Sequence, residues 1–206
     1  MLLPIHPKDP EPRKIRQVVE LLRDGGVVVC PTDTVYAYVC SSNSARAIEE
    51  VARLKGIKPQ KADLSLICRD LSQLSLHAKA IDTAAFRVMK KALPGPYTFI
   101  VPASHEIPKL FKNSKRTVGI RVPDHPVPQA LVEELGCALV ATSVHDPDKL
   151  IDYTSDPEDI HQHVGHQVAL VIDSGPCGLE ASTVIDLTQG TTVVLRQGKG
   201  PTDDLL

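Results

Sequence analysis

At 206 residues the chain has room for one large domain or two small ones, and no Gly/Ser-rich or charge-block stretch divides it, so a single domain over 1–206 is expected. A formal net charge of −2, 3% aromatic residues and no Trp argue against a protein held to nucleic acid by bulk charge or by a base-stacking surface. The cysteines, Cys30, Cys40, Cys68, Cys137 and Cys177, are odd in number and scattered, without metal-ligand spacing, as reduced core residues in a cytoplasmic protein are.

The start, Met-Leu-Leu-Pro-Ile-His-Pro, reads as a loose segment, too short and proline-broken for a signal peptide. No apolar run approaches the roughly 20 residues of a membrane span. Pro12 suits a first helical turn, and Ile15, Val18, Val19 and Leu22 recur at helical spacing up to Gly25 and Gly26. Val27–Val29 is a β-branched run without alternation, as in a strand buried on both faces. Pro31 stops it. Just past its end stand three hydroxyls (Thr32, Thr34, Tyr36) and a carboxylate (Asp33). Strand ends are where open α/β sheets bind ligands, although Thr and Asp are also ordinary turn residues.

Ser44 caps a second helix with Ala45, Ile48, Val51 and Ala52 on one face, and Gly56 ends it, leaving Lys55 on its last turn. A polar loop from Gly56 to Asp63 carries Lys58 and Lys61. Leu64–Cys68 reads as a strand, Ile81–Ala92 as a helix and Tyr97–Val101 as a strand after Pro94-Gly95-Pro96. A basic stretch (Lys109, Lys112, Lys115, Arg116) precedes Thr117–Val122, which alternates strictly: Val118, Ile120 and Val122 face one way, Thr117, Gly119 and Arg121 the other. A helix from Pro126 to Leu135 and a strand from Ala138 to Thr142 lead to Ser143, Val144 and His145. From Asp146 to Gln167 the chain is polar and acidic, with a short helix at most. Val168–Ile172, ending at Asp173, is a further strand. Thr183–Leu187 and Thr192–Leu195, joined by Thr188-Gln189-Gly190, form a hairpin. Helices alternating with strands, then a hairpin, predict an α/β fold with a twisted mixed parallel and antiparallel sheet and flanking helices.

Thr34, Lys55, Lys61, Thr117, Arg121, Ser143, Ser182 and Arg196 lie at strand ends or on the less apolar face of a strand. Cations and hydroxyls converging on one cavity suit a phosphorylated ligand, whereas each lysine taken alone reads as a solvated charge. Arg121 interrupts an apolar strand, and a buried Arg demands an anion. That anion is either a ligand carboxylate or an internal acid such as Asp33 or Asp173. His161, His163 and His166 read as solvent-exposed rather than as metal ligands, because positions two apart do not share a helix face. No phosphate-binding P-loop is present, and no metal site is expected.

The stretches Pro31–Tyr36 (Pro-Thr-Asp-Thr-Val-Tyr), Gly119–Pro123, Ser182–Asp186 and Leu195–Gly198 resemble the YrdC/YciO family in order and spacing over nearly the whole chain. Ile67–Ser72, Ala85–Lys90 and Pro94–Ile100 place the resemblance in its YciO branch. The resemblance implies a concave, basic cavity and a nucleotidyltransferase reaction. In it L-threonine, bicarbonate and ATP give threonylcarbamoyl-AMP and pyrophosphate, on the way to a modified tRNA adenosine. By family motif Thr34, Arg121 and Ser182 would hold threonine. Lys55, Lys61, Thr117, Ser143, His145 and Arg196 would hold the nucleotide, with Lys55 and Arg196 as the catalytic cations. Mg²⁺ would travel with the phosphates, and contact with tRNA or double-stranded RNA is a further expectation. Two positions depart from the family's Lys-x-Arg and Ser-x-Asn: here they read Lys55-Gly56-Ile57 and Ser143-Val144-His145. A lost phosphate-clamping Arg removes a charge-assisted bond of roughly 1.5–3 kcal/mol. The expectation is therefore a retained cavity with weak synthase activity; the alternative is a nucleotide- or RNA-binding protein without this turnover.

Overall fold

The computed structural model describes residues 1–56, 64–107, 116–144 and 155–205. In chain order its elements are β1 (Leu2–Pro4), α1 (Pro12–Arg23), β2 (Val28–Cys30), β3 (Ala37–Ser41), α2 (Ala45–Leu54), β4 (Ser65–Ile67), α3 (Leu71–His77) and α4 (Thr83–Ala92). Then follow β5 (Tyr97–Pro102), β6 (Thr117–Arg121), α5 (Pro126–Leu135), β7 (Leu139–Ser143), α6 (Pro157–Val164), β8 (Leu170–Asp173), β9 (Thr183–Asp186) and β10 (Val193–Arg196). The strands make one mixed sheet in the order β1-β8-β2-β3-β7-β4-β6-β5-β9-β10.

Local chemistry sets most of these boundaries. Pro12 opens α1, and Ser44 accepts the Ala47 N–H to cap α2. Gly136, with φ of 79°, ends α5 in the left-handed region that glycine enters without a Cβ penalty. Three elements are additions to the sequence reading. The opening residues are not loose but pair in parallel with β8, Leu2 opposite Val171. β3 returns antiparallel to β2, with Ala37 opposite Cys30, after the six residues 31–36. α3 is capped by Asp70, whose carboxylate accepts from Gln73 N, while the Gln73 side chain accepts from Arg69 N.

Register decides which side chains share a face, since cross-strand partners point the same way. On one face lie Val171, Val29, Tyr38, Cys40, Val140, Leu66, Val118, Ile120, Phe99 and Ile185, packed under α2, α3, α4 and α6 through Ile48, Val51, Leu74, Met89 and Ile160. On the other face, Leu170, Ile172, Val28, Val39, Leu139, Ala141 and Ile67 are buried under α1 and α5 through Val18, Leu22, Val127 and Leu131. That second face continues past Ile67 with a different composition, described next. No helix among the described residues is long and apolar enough to cross a membrane.

Candidate functional site

Following the register outward from Ala141, the second face carries Ser65, then Thr117, Gly119 and Arg121 of β6, Thr98 and Ile100 of β5, Val184 and Asp186 of β9, and Arg196 of β10. Apart from Arg121, the β5, β6 and β9 residues of this face stay partly exposed, while their neighbours on the opposite face are buried. Gly119 keeps this floor low: a Cβ there would stand 3.2 Å from Thr98 Cγ2 and 3.6 Å from Ser65 Cβ. One face of one sheet is therefore a packed core on one side and an open polar floor on the other.

The loop 31–36 reaches across to that floor. Arg121 Nη2 donates to Asp33 Oδ1 at 2.9 Å and to Thr34 Oγ1 at 2.9 Å. Both charged side chains are nearly buried, 8% exposed for Arg121 and 7% for Asp33. Asp33 Oδ2 also accepts from Asp124 N at 3.1 Å, which ties the loop to the residue before the α5 cap. The anion that Arg121 required is thus Asp33, not a ligand alone. Arg121 Nε remains buried with no hydrogen-bond partner among the described residues. Burial pulls the Arg121 guanidinium below its usual range; Asp33 opposes this, and the nearby Arg196 adds to it.

Two hydroxyls of the loop are structural. Thr32 Oγ1 accepts from Thr34 N at 3.1 Å and donates to Val35 O at 2.6 Å. Tyr36, grouped with the strand-end hydroxyls in the sequence, points the other way: its OH donates to Gly175 O at 2.8 Å and accepts from Ser174 N at 3.3 Å. It belongs to the first core because Ala37, the next residue, belongs to the second. Thr34 is fully buried, 0% exposed, and holds Arg121 from behind.

The other expected residues fall into two groups. Ser182 Oγ shares a hydrogen bond with Thr98 Oγ1 at 2.8 Å, and Arg196 donates from Nη2 to Ser182 O at 2.8 Å and to Ser182 Oγ at 3.4 Å. Arg196, expected among the nucleotide groups, is placed beside Ser182 and within electrostatic reach of Arg121. At the opposite end of the strands, Lys55 Nζ donates to Ser143 O at 3.0 Å and to Ser143 Oγ at 3.4 Å. Thr117 lies on the same face at that end. Lys61 and His145, with Lys109, Lys112 and Lys115, lie outside the described residues. Asp33 as the fixed partner of Arg121, and Thr98 as that of Ser182, complete the site. Thr98 went unmarked in the sequence; the β5–β6 register sets it on the face of Gly119.

Among the described residues, no three His, Cys, Asp or Glu side chains cluster so as to hold a metal ion. His163 and His166 are exposed and His161 is half-buried on α6. The five cysteines are thiols, and burial pushes Cys177, beside the loop, up to about 11.

Comparison with known proteins gives the family and the fold. The profile of the Sua5/YciO/YrdC family, described as "Telomere recombination", matches residues 20–198. The chain belongs to this family. It is 43% identical over 198 residues to the uncharacterized protein YciO of Escherichia coli K12, covering 95% of this chain and 94% of that protein. The E. coli YciO crystal structure aligns at a TM-score of 0.93 over 100% of this chain and 99% of that one. The threonylcarbamoyl-AMP synthase of Halorhodospira halophila is 31% identical over 179 residues, 87% of this chain and 92% of that enzyme. P. abyssi Sua5 complexed with L-threonine aligns at a TM-score of 0.86 and 26% identity, over 100% of this chain and 59% of that one. The α/β domain with an open mixed sheet is thus the architecture of YciO and of the part of Sua5 that the chain spans.

Proposed function

We propose that the open polar floor binds ATP and L-threonine and that the protein forms threonylcarbamoyl-AMP, with turnover below that of an ordinary synthase. One observation carries this reading: strand register gathers Ser143, Thr117, Arg121 and Arg196 onto a single partly open face, with Ser182 bonded to Thr98 and Arg196 on it, where packing alone would place apolar residues. The family's named synthases and the threonine-bound Sua5 structure support it.

In this reading threonine and bicarbonate condense to a carbamate, one oxygen of which attacks the α-phosphorus of ATP. The new P–O bond forms as the bond to pyrophosphate breaks. The protein's part is to bring two anions together and to offset the developing charge. Arg121 and Arg196 would face the amino-acid carboxylate and the reacting phosphate, and Lys55 with Ser143 the far end of the nucleotide. Nε is one donor that Arg121 still has to offer, while Nη2 is shared by Asp33 and Thr34. Mg²⁺ would be held mainly by phosphate oxygens and water. Ile57 and His145 stand where active relatives carry Arg and Asn and would set the low turnover, because a lysine lacks the planar fork of arginine and a histidine ring donates one bond where an amide offers both donor and acceptor. RNA contact stays with the basic stretch 109–116 and is a lesser part of the proposal.

Incubation with ATP, L-threonine and bicarbonate, following pyrophosphate and the acyl-adenylate, tests this. Slow formation of both is expected. Saturable ATP binding without product favours the nucleotide-binding alternative. Absence of binding up to several times about 1 mM, a Kd worth only about 4 kcal/mol, would overturn both.

A further inference from the structure

The loop 31–36 is held from two sides. Its side chains grip Arg121, as described. Its carbonyls turn the other way: Thr32 O accepts from Cys177 Sγ at 3.6 Å, and Asp33 O accepts from Lys199 Nζ. Thr34 O lies so close to Gly178 that a Cβ on that glycine would stand 2.8 Å from it.

Lys199 follows β10 in a segment whose own backbone is fixed. Lys199 N donates to Ala181 O at 2.9 Å, Gly198 N donates to Thr183 Oγ1 at 3.0 Å, and Thr183 Oγ1 donates to Gly200 O at 2.6 Å. Gly198 and Gly200 approach too closely for any side chain: a Cβ would meet Ala181 O at 2.3 Å and the Tyr97 ring at 2.4 Å, respectively. The ammonium is thus presented to the loop from a rigid base, although the Lys199 residue itself is exposed.

The carbonyl that Lys199 binds and the amide that Thr32 Oγ1 binds are the two polar groups of one peptide unit, Asp33–Thr34. A peptide is planar, so holding its C=O at one edge and its N–H at the other fixes its rotation. That rotation sets the directions of the Asp33 carboxylate and the Thr34 hydroxyl, the two groups that receive Arg121 Nη2. Lys199 also stands three residues beyond Arg196, so one short segment carries a cation to Ser182 and another to the loop.

We infer that Lys199 is a positioning residue for the amino-acid end of the site: it locks the Asp33–Thr34 peptide and, through it, the orientation of Arg121. This rests on the reading of function given above. Lys199 acts through the loop and touches no reacting group.

The test compares Lys199→Met and Lys199→Arg with the parent in three measurements: hydrogen exchange of the Thr34 amide without ligand, calorimetric affinity for L-threonine, and calorimetric affinity for ATP. In Lys199→Met the Thr34 amide exchanges faster and threonine binding weakens, each by about three- to tenfold, the worth of one intramolecular hydrogen bond. ATP affinity stays within about twofold, since the floor's nucleotide end is left intact. Lys199→Arg, which can donate to the same carbonyl, restores both values. Unchanged Thr34 exchange in Lys199→Met overturns the inference. So does equal weakening of both ligands with a lowered melting temperature, the mark of a merely structural role. If the parent itself binds no threonine while Lys199→Met still loosens the amide, the proposed function fails and the lock on the loop stands.

Discussion

Two regions of one sheet face invite comparison. Under α1 and α5 the face presents Val28, Val39, Leu139 and Ala141, all buried; a few strands along, the same face presents Ser65, Thr98, Thr117 and Gly119 on an open floor. The backbone geometry is the same in both. Cover differs among the described residues, and side-chain chemistry follows it: where α1 and α5 exclude water the face is apolar, and where the strands stay partly exposed it is polar and cationic. Arg121 stands at the border. It is as buried as a core residue yet charged, and Asp33 compensates it only in part.

Breaking the border residue has the largest expected effect. Arg121→Met leaves Asp33 buried beside an apolar side chain, with the Asp124 N–H as its remaining partner among the described residues. A loss of roughly 3–5 kcal/mol is expected, as for a buried pair stripped of one member. Chemical denaturation measures it. A stability equal to the parent's would mean that the pair contributes nothing and that Arg121 is free for ligand alone.

Breaking the covered region comes next. Leu131 on α5 is fully buried, and Leu131→Ala leaves a cavity costing about 2–5 kcal/mol. Threonine and ATP affinities measured well below the melting temperature should be unchanged. A selective loss of affinity would mean that the two regions are not separable.

Acid sharpens the same border. Burial pulls His125 and His77 below the usual histidine range; for His125 the neighbouring Asp33 and Asp124 oppose this, and for His77 Glu106 does. His125 caps α5 by accepting the Val127 N–H on Nδ1 at 3.2 Å, a role open only to the neutral ring. Both groups resist protonation in the folded state more than in the unfolded chain. Their stability contribution is therefore complete above about pH 6.5, the unfolded value, and is lost as pH falls below it towards the depressed folded values. Melting temperatures from pH 8 to pH 5 should decline below that point. His125→Asn, which keeps an N-cap, should flatten part of the decline; an identical profile in the variant would remove His125 from the account.

On the open floor itself the effects on stability are small. Ser182→Ala removes the hydroxyl's bonds to Thr98 and Arg196, leaves Arg196 on the Ser182 carbonyl, and should cost about 0.5–1.5 kcal/mol. Ligand affinity should fall by a comparable free energy, readable by calorimetry.

Most of the frame was legible because the signals are local: Pro12, Ser44 and Gly136 mark helix ends, and strict alternation in Thr117–Arg121 assigned both faces of β6. β3 escaped because Ala-Tyr-Val-Cys-Ser is buried on both faces and carries neither alternation nor a tight hairpin turn, its partner strand lying six residues back. α3 buries only Leu74, too little for a periodic stripe, although Asp70 followed by Gln73 is a legible capping pattern. The site was legible as residue types at strand ends. Its pairing was not, because Arg121 and Asp33 are 88 residues apart and two acids fitted the requirement equally well in the sequence. Nothing local marks Lys199 either; only the fold brings it to the loop.

The central claim, that ligands occupy the open floor and not the covered region, is tested most directly by amide chemical shifts during titration with ATP and L-threonine. Thr98, Gly119, Ser182 and Arg196 should shift saturably, while Val28, Val39 and Leu139 stay in place. Shifts confined to the covered strands, or none on the floor at saturating ligand, would contradict the account.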